Sequence, residues 1–341
     1  MSVFVGIIIG LLSAVFSLAL FYLTVELPRY MHQLLLGIVP DYFLMWDIEG
    51  MQQALNFLRI IGAICLVIII ALIILGFIFK KGSLSILGSF VFFLPTFGYF
   101  AFSMFFLAGI GALRALWLPF LEVNPNIINS CVIVLLPFLI INTIVAILYG
   151  ASIPYVAHTN ILVPASLVII FLGILIFTIG VSTWLYGKYK GTEIIDFWIY
   201  RYSRHPQYLG YIIWSYGLLV LSTGLPAPKG GYVPPPTLIW TIQTLVVLVV
   251  AEWEEMFMEK EYGEKYIQYR EKTPFLLPLP NIISRLFRYP SSIIERHGRK
   301  LRYIILSQVV NLIIIIAVSS AFIFLAKIAG LPPSPILPLT L

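Results

Sequence analysis

Residues 161–186 read ILVPASLVIIFLGILIFTIGVSTWLY, 26 consecutive positions without a charged side chain. A helix rising 1.5 Å per residue is then about 39 Å long, more than the roughly 30 Å of hydrocarbon in a bilayer. Beyond residues 187–197 lies WIYRYSRHPQYLG, residues 198–210, and after it the apolar pattern resumes. Working outward for further predominantly apolar stretches marks seven more spans: residues 3–25, 54–79, 84–110, 131–149, 208–223, 238–250 continuing into Trp253, and 303–326. The reading is an all-α, polytopic membrane protein of about eight transmembrane helices. Composition agrees: of 341 residues 60 % are hydrophobic and 11 % charged, and the mean hydropathy of +1.00 excludes a water-soluble domain.

The sixth and seventh spans are short, and the GLPAPKGGYVPPP between them cannot continue a helix, so they form an antiparallel hairpin. The first span has no basic residue before it and is too long for a signal-peptide core, which makes it a retained anchor. Loops after the odd-numbered spans hold 17 of the 21 Lys and Arg residues. The positive-inside rule makes those loops cytoplasmic and both termini external, with Lys80 and Lys81 dissenting. The formal charge of +6 suits anionic lipid headgroups beside apolar spans rather than nucleic acid. Cys65 and Cys131 lie inside apolar runs, so neither a disulfide framework nor a cysteine metal site is expected. No Asp, Glu, Lys or Arg sits in the middle of a span, and no pair of broken spans recurs, which argues against a pump or transporter. The glycines of GIIIG at residues 6–10 predict close helix packing.

Polar residues are scarce enough that their concentration in two segments is informative. One is residues 198–210; the other is residues 252–280, EWEEMFMEKEYGEKYIQYREKTPFLLPLP. The hairpin of the sixth and seventh spans returns both to one membrane face, so they can form one site. Arg204 offers a fork for a carboxylate, His205 a group that donates or accepts, and Glu254 and Glu255 carboxylates for an ammonium or a ribose hydroxyl. Trp198, Tyr200, Tyr202, Tyr208, Tyr211 and Trp214 supply rings that suit either a cationic ligand or an interfacial belt. Pro206 fits the first position of a helix and leaves His205 extended. Gly210 lets a ligand or another helix approach the backbone. Adjacent Glu254 and Glu255 point about 100° apart on a helix, so they take different roles. At a helix C-terminus the macrodipole opposes them, and compensation by Arg204 or a bound cation is expected. Tyr262, Tyr266 and Tyr269 follow at three- and four-residue spacing, as on an interfacial helix closed by Pro274.

Arg204-His205-Pro206-x-Tyr208-x-Gly210, then Glu254-Glu255, then Tyr262-Gly263-x-x-Tyr266-x-x-Tyr269 and the closing Thr273-Pro274 with Pro278 resemble the isoprenylcysteine carboxyl methyltransferase and phospholipid N-methyltransferase superfamily. The resemblance covers about a hundred residues. It implies an S-adenosylmethionine-dependent methyltransferase of the integral membrane type, with a lipid or lipidated methyl acceptor arriving from the bilayer and a cofactor pocket on the cytoplasmic side. Arg204, His205 and Glu255 are then the catalytic candidates. His205, Pro206, Tyr208, Leu209, Gly210, Glu254, Glu255 and Tyr266 are the cofactor-binding ones, with Tyr262, Tyr266 and Tyr269 under a lid and no metal. A protonated acceptor needs a base, which His205 or a glutamate can supply, whereas an anionic one does not. Where the family often carries glycine this chain has Trp198.

The expected organisation is an N-terminal transmembrane bundle at 1–160, a methyltransferase-like core in the C-terminal half at 161–280, and a basic interfacial segment with a final anchor at 281–341. Two alternatives compete. A sterol-type double-bond reductase using NADPH shares the Arg-His motif, but this chain lacks the acid of the reductase pattern that usually follows it. A membrane scaffold without turnover has no need to gather these groups. A soluble-type dinucleotide fold is excluded, since Gly109-Ile110-Gly111 lacks the third glycine of the phosphate loop.

Overall fold

The computed structural model describes residues 3–36, 127–149, 163–224, 236–277 and 301–328, together with single positions between 60 and 78. Among the described residues all regular structure is helical: α1 (Val3–Leu36), α2 (Leu136–Tyr149), α3 (Val163–Tyr189), α4 (Pro206–Gly224), α5 (Thr237–Tyr262), α6 (Glu264–Lys272) and α7 (Leu301–Ile328), with short 3-10 turns between. Three of the described helices are long and apolar enough to cross a membrane, at Pro164–Tyr189, Thr237–Tyr262 and Leu301–Ile328. The span expected at 84–110, and most of that at 54–79, lie outside the described residues.

The centre of the molecule is the α3–α4 pair, and glycine makes it. Gly173, Gly180 and Gly187 recur every seven residues along α3, as do Gly210 and Gly217 along α4, so each set lies along one face. A Cβ on Gly173 would sit 2.2 Å from the Trp214 backbone nitrogen, and one on Gly210 would sit 2.4 Å from that of Phe177. The two backbones therefore touch, gaining dispersion contacts that larger side chains would forbid. Of the two approaches that Gly210 permits, the neighbouring helix is the one that uses it. Among the described residues the GIIIG of α1 packs differently from expectation: none lies within 4 Å of a Cβ placed on Gly10, and Gly6 meets the Trp198 indole.

α1 lies antiparallel on α3. Ser13 Oγ donates to Ser182 Oγ at 2.8 Å, and the Ser17 and Thr178 hydroxyls are 2.7 Å apart. Farther along, the Trp214 indole donates to Thr24 Oγ1 at 3.2 Å, and Phe21 meets Phe171 edge-on. Phe16, Ile170, Ile174, Trp214 and Leu219 are fully buried among these helices. Such interhelical hydrogen bonds contribute about 0.6 kcal/mol each, so packing carries most of the association. α5 joins α4 through the Trp240 indole on Ser215 Oγ and through Gln243 on the Tyr211 hydroxyl. α7 docks on α5 through Gln308, whose amide donates to Glu252 Oε1 at 3.4 Å, with Asn311 donating to Gln308 Oε1 at 2.9 Å.

This arrangement corrects the expected placement of the termini. Gly6 lies against Trp198, so α1 begins on the face that carries residues 198–210, whereas both termini were expected opposite it. α7 runs from that face to the other, so only its C-terminal end lies where the charge count put it. The physical reason is that α1 packs antiparallel on α3, whose C-terminal end leads into residues 198–210, and a contact between such distant segments is not reported by a loop-by-loop count of Lys and Arg. An N-terminal tag should therefore be accessible from the same side of sealed vesicles as a tag inserted at Gly191. Accessibility from opposite sides would contradict the packing of α1.

Candidate functional site

Where α3 ends, Gly191 turns the chain at φ +68° and residues 192–197 lead into a single 3-10 turn, Trp198–Arg201. Trp198 adopts φ +53°, the only non-glycine residue at positive φ among those described. Holding a bulky residue there costs about 1–3 kcal/mol, and the contact of its indole with Gly6 of α1 offsets part of it. The Trp198 indole thus lies against the start of α1. Two steps on, Ser203 is buried and its Oγ accepts the His205 backbone N–H at 3.2 Å. Pro206 opens α4 as expected, its missing N–H costing nothing at that position.

α5 brings the acids. The helix runs to Tyr262, so Glu254 and Glu255 stand two turns before its end and the expected opposition of the macrodipole does not reach them. Arg204 does compensate Glu255, for a different reason, namely burial. Glu255 is 3 % exposed; Arg204 Nε donates to its Oε1 at 2.6 Å and His205 Nε2 lies 3.1 Å from the same oxygen. Glu254, about 100° round the helix, is 51 % exposed and accepts the Tyr208 hydroxyl at 2.6 Å. The two carboxylates have the separate environments that adjacency on a helix predicts. In the neutral imidazole the bond to Glu255 puts the proton on Nε2 and leaves the Nδ1 lone pair toward Glu254 Oε2, 4.0 Å away.

Gly263, at φ +54° and ψ −129°, breaks the chain between α5 and α6. Tyr262 therefore ends α5 instead of sharing a helix face with Tyr266 and Tyr269. Tyr266 is buried with its ring 6.1 Å from that of Tyr269, and the Tyr269 hydroxyl donates to the Tyr200 carbonyl at 2.8 Å. Gln207 Nε2 donates to the Tyr200 hydroxyl at 3.1 Å. Burial pushes the hydroxyls of Tyr200, Tyr266 and Tyr269 well above the usual tyrosine range, so they stay neutral donors and are not bases. Lys265 pairs with Glu193 at 2.8 Å, in full solvent, rather than with the acids of α5.

The structure thus brings Arg204, His205, Tyr208, Glu254 and Glu255 together, with Tyr266 beneath them. Pro206 and Gly210 shape α4, and Leu209 is half-buried on it. Three contributors were not singled out from the sequence: Ser203, the carbonyls that receive Arg204, and Phe275, whose ring lies 5.0 Å from His205. The heptad spacing of glycines was a readable signal for the helix pair. Nothing local marks Phe275.

Half-exposed Glu254 and the Nδ1 edge of His205, 4.0 Å apart, form an acidic, acceptor-bearing surface beside the Tyr208 ring. Those acceptors fit the ammonium of a zwitterionic amino acid tail, and the neighbouring ring fits a sulfonium. Residues 159–265 match the family model for phospholipid methyltransferase. The match runs from just before α3 to the first residues of α6, and so includes these residues except Tyr266, Phe275 and the two, Arg270 and Thr273, whose carbonyls receive Arg204. No curated protein and no solved structure matches the chain.

Proposed function

We propose, for a chain whose residues 159–265 belong with the phospholipid methyltransferases in a superfamily of integral membrane methyltransferases, that the protein transfers a methyl group from S-adenosylmethionine to a lipophilic acceptor. The observation that carries this reading is the division of labour between two adjacent acids. Glu255 is buried and neutralised by Arg204 and His205, while Glu254 remains half-exposed with only the Tyr208 hydroxyl donating to it among the bonds described above. The cofactor supplies an electrophilic methyl on a sulfonium, and Glu254, Tyr208 and His205 are the groups to hold its amino acid end.

Everything else falls to positioning. Methyl transfer needs donor and acceptor in line and water excluded, and effective molarity from such alignment is worth about 7–11 kcal/mol. Touching α3 and α4 backbones give a rigid floor, and Arg204 and Glu255 fix His205 with its Nδ1 outward. An acceptor that carries a proton gives it to Nδ1; a carboxylate needs no such step. The face bearing the site is the cytoplasmic one, and the acceptor reaches it from the bilayer. The N-terminal helices and the final anchor frame the core, and the basic residues before α7 meet anionic lipid.

Incubating the purified protein with methyl-labelled S-adenosylmethionine and an extracted membrane lipid mixture should move label into the organic phase. Label should stay in water with His205→Ala. Transfer that the variant leaves intact, or no transfer to any lipid, amine, carboxylate or thiol acceptor offered, would contradict the reading.

A further inference from the structure

Arg204 was expected to face a ligand as a fork for its carboxylate. Its hydrogen bonds go elsewhere. Nε binds Glu255, while Nη1 donates to the carbonyls of Arg270 and Thr273, each at 2.7 Å. Its backbone N–H donates to the Pro274 carbonyl at 2.9 Å. Arg270 and Thr273 stand at the C-terminal end of α6, where a cation satisfies orphan carbonyls and the dipole together. One side chain therefore fastens three things: the acid of α5, the end of α6, and the segment 273–277 that leaves it.

That segment carries Phe275. Its ring meets His205 edge-on, with centroids 5.0 Å apart, and lies 5.6 Å from the Arg204 guanidinium carbon. The ring thus lies over the guanidinium of the Arg204–Glu255 pair on one side and packs edge-on against the imidazole on the other. A buried ion pair weakens as water reaches it, so a ring held over it protects its strength.

We infer that Arg204 is a positioning residue, the latch of a strap formed by residues 273–277, and that Phe275 on this strap holds His205 in orientation and closes the ligand site. Opening the latch frees α6 and the ring together and exposes His205. The part of this inference that concerns the ligand rests on the methyltransferase reading; the latch itself does not.

The test uses the full-length protein in detergent. Arg204→Lys keeps the charge opposite Glu255 but loses the planar fork that serves both carbonyls. It should speed amide exchange across residues 275–277 by about tenfold or more, while the amides of α3 keep their protection. Phe275→Leu keeps an apolar side chain without the ring, at a half-buried position where folding should survive. It should raise the dissociation rate of S-adenosylhomocysteine about tenfold, and Phe275→Tyr should restore it. It should also lower kcat more than it raises KM, since His205 loses its orientation rather than its access.

Unchanged exchange at 275–277 in folded Arg204→Lys would overturn the latch. Wild-type S-adenosylhomocysteine kinetics in Phe275→Leu would overturn the role of the ring. Should the wild-type protein bind no S-adenosylhomocysteine at all, the functional reading falls, and the exchange measurement still decides the latch for or against.

Discussion

Glu255→Ala should cost the protein about 3–5 kcal/mol, the penalty for leaving one partner of a buried ion pair without the other. Arg204 is 10 % exposed, and with Glu255 gone its charge keeps two carbonyls and the Phe275 ring but, among the described contacts, no carboxylate. His205 loses the acceptor for Nε2 in the same step. Glu255→Gln keeps an oxygen for Arg204 and should fall between. Glu254→Ala, two turns from the helix end and half in water, removes a partner of Tyr208 and should cost less than about 1 kcal/mol. Unfolding curves in detergent for the three variants should rank them in that order. Equal destabilisation by Glu254→Ala and Glu255→Ala would contradict the division of the two acids into a buried and a ligand-facing one.

Gly173→Ala should be comparably severe by a different mechanism. The added carbon would lie 2.2 Å from the Trp214 nitrogen and 2.5 Å from its Cα, and backbone cannot swing aside as the end of a flexible chain can. Overpacking of this kind costs about 1–3 kcal/mol, and more where the neighbour is rigid. The two helices would have to separate, and since α4 begins with His205 at its cap, the displacement would carry into the site. Gly10→Ala, with no described residue within 4 Å of the added carbon, is the matched control and should be silent. A melting temperature for Gly173→Ala within a degree of wild type would contradict the touching of α3 and α4.

Much of the site could be read from the chain because the chemistry is local. Arg204, His205, Pro206 and Tyr208 follow one another through a turn into a helix, and a proline fixes where that helix starts. The angle between Glu254 and Glu255 follows from helix geometry alone, and their two environments match it. Other features depend on where distant segments come to lie. The end of α5 was set too early, because hydropathy falls where charges begin whereas the helix runs on until Gly263 breaks it. Tyr262 was in consequence joined to a helix it does not belong to.

Phe275 is an ordinary apolar residue whose meaning comes from the carbonyls that Arg204 reaches, 66 and 69 residues along the chain. The sidedness of α1 follows from its antiparallel packing on α3, a contact between distant segments that the loop-by-loop count of Lys and Arg does not report. The glycine heptads of α3 and α4 were legible and more informative than the GIIIG motif, since they recur on both partners of one interface.

The most direct test of the central claim is an equilibrium titration of the detergent-purified protein with S-adenosylhomocysteine, with NADPH as the parallel ligand. The account predicts saturable binding of S-adenosylhomocysteine that Glu254→Ala weakens, that His205→Ala abolishes, and that NADPH does not displace. Binding of NADPH in its place, or no binding of either by folded protein, would contradict it.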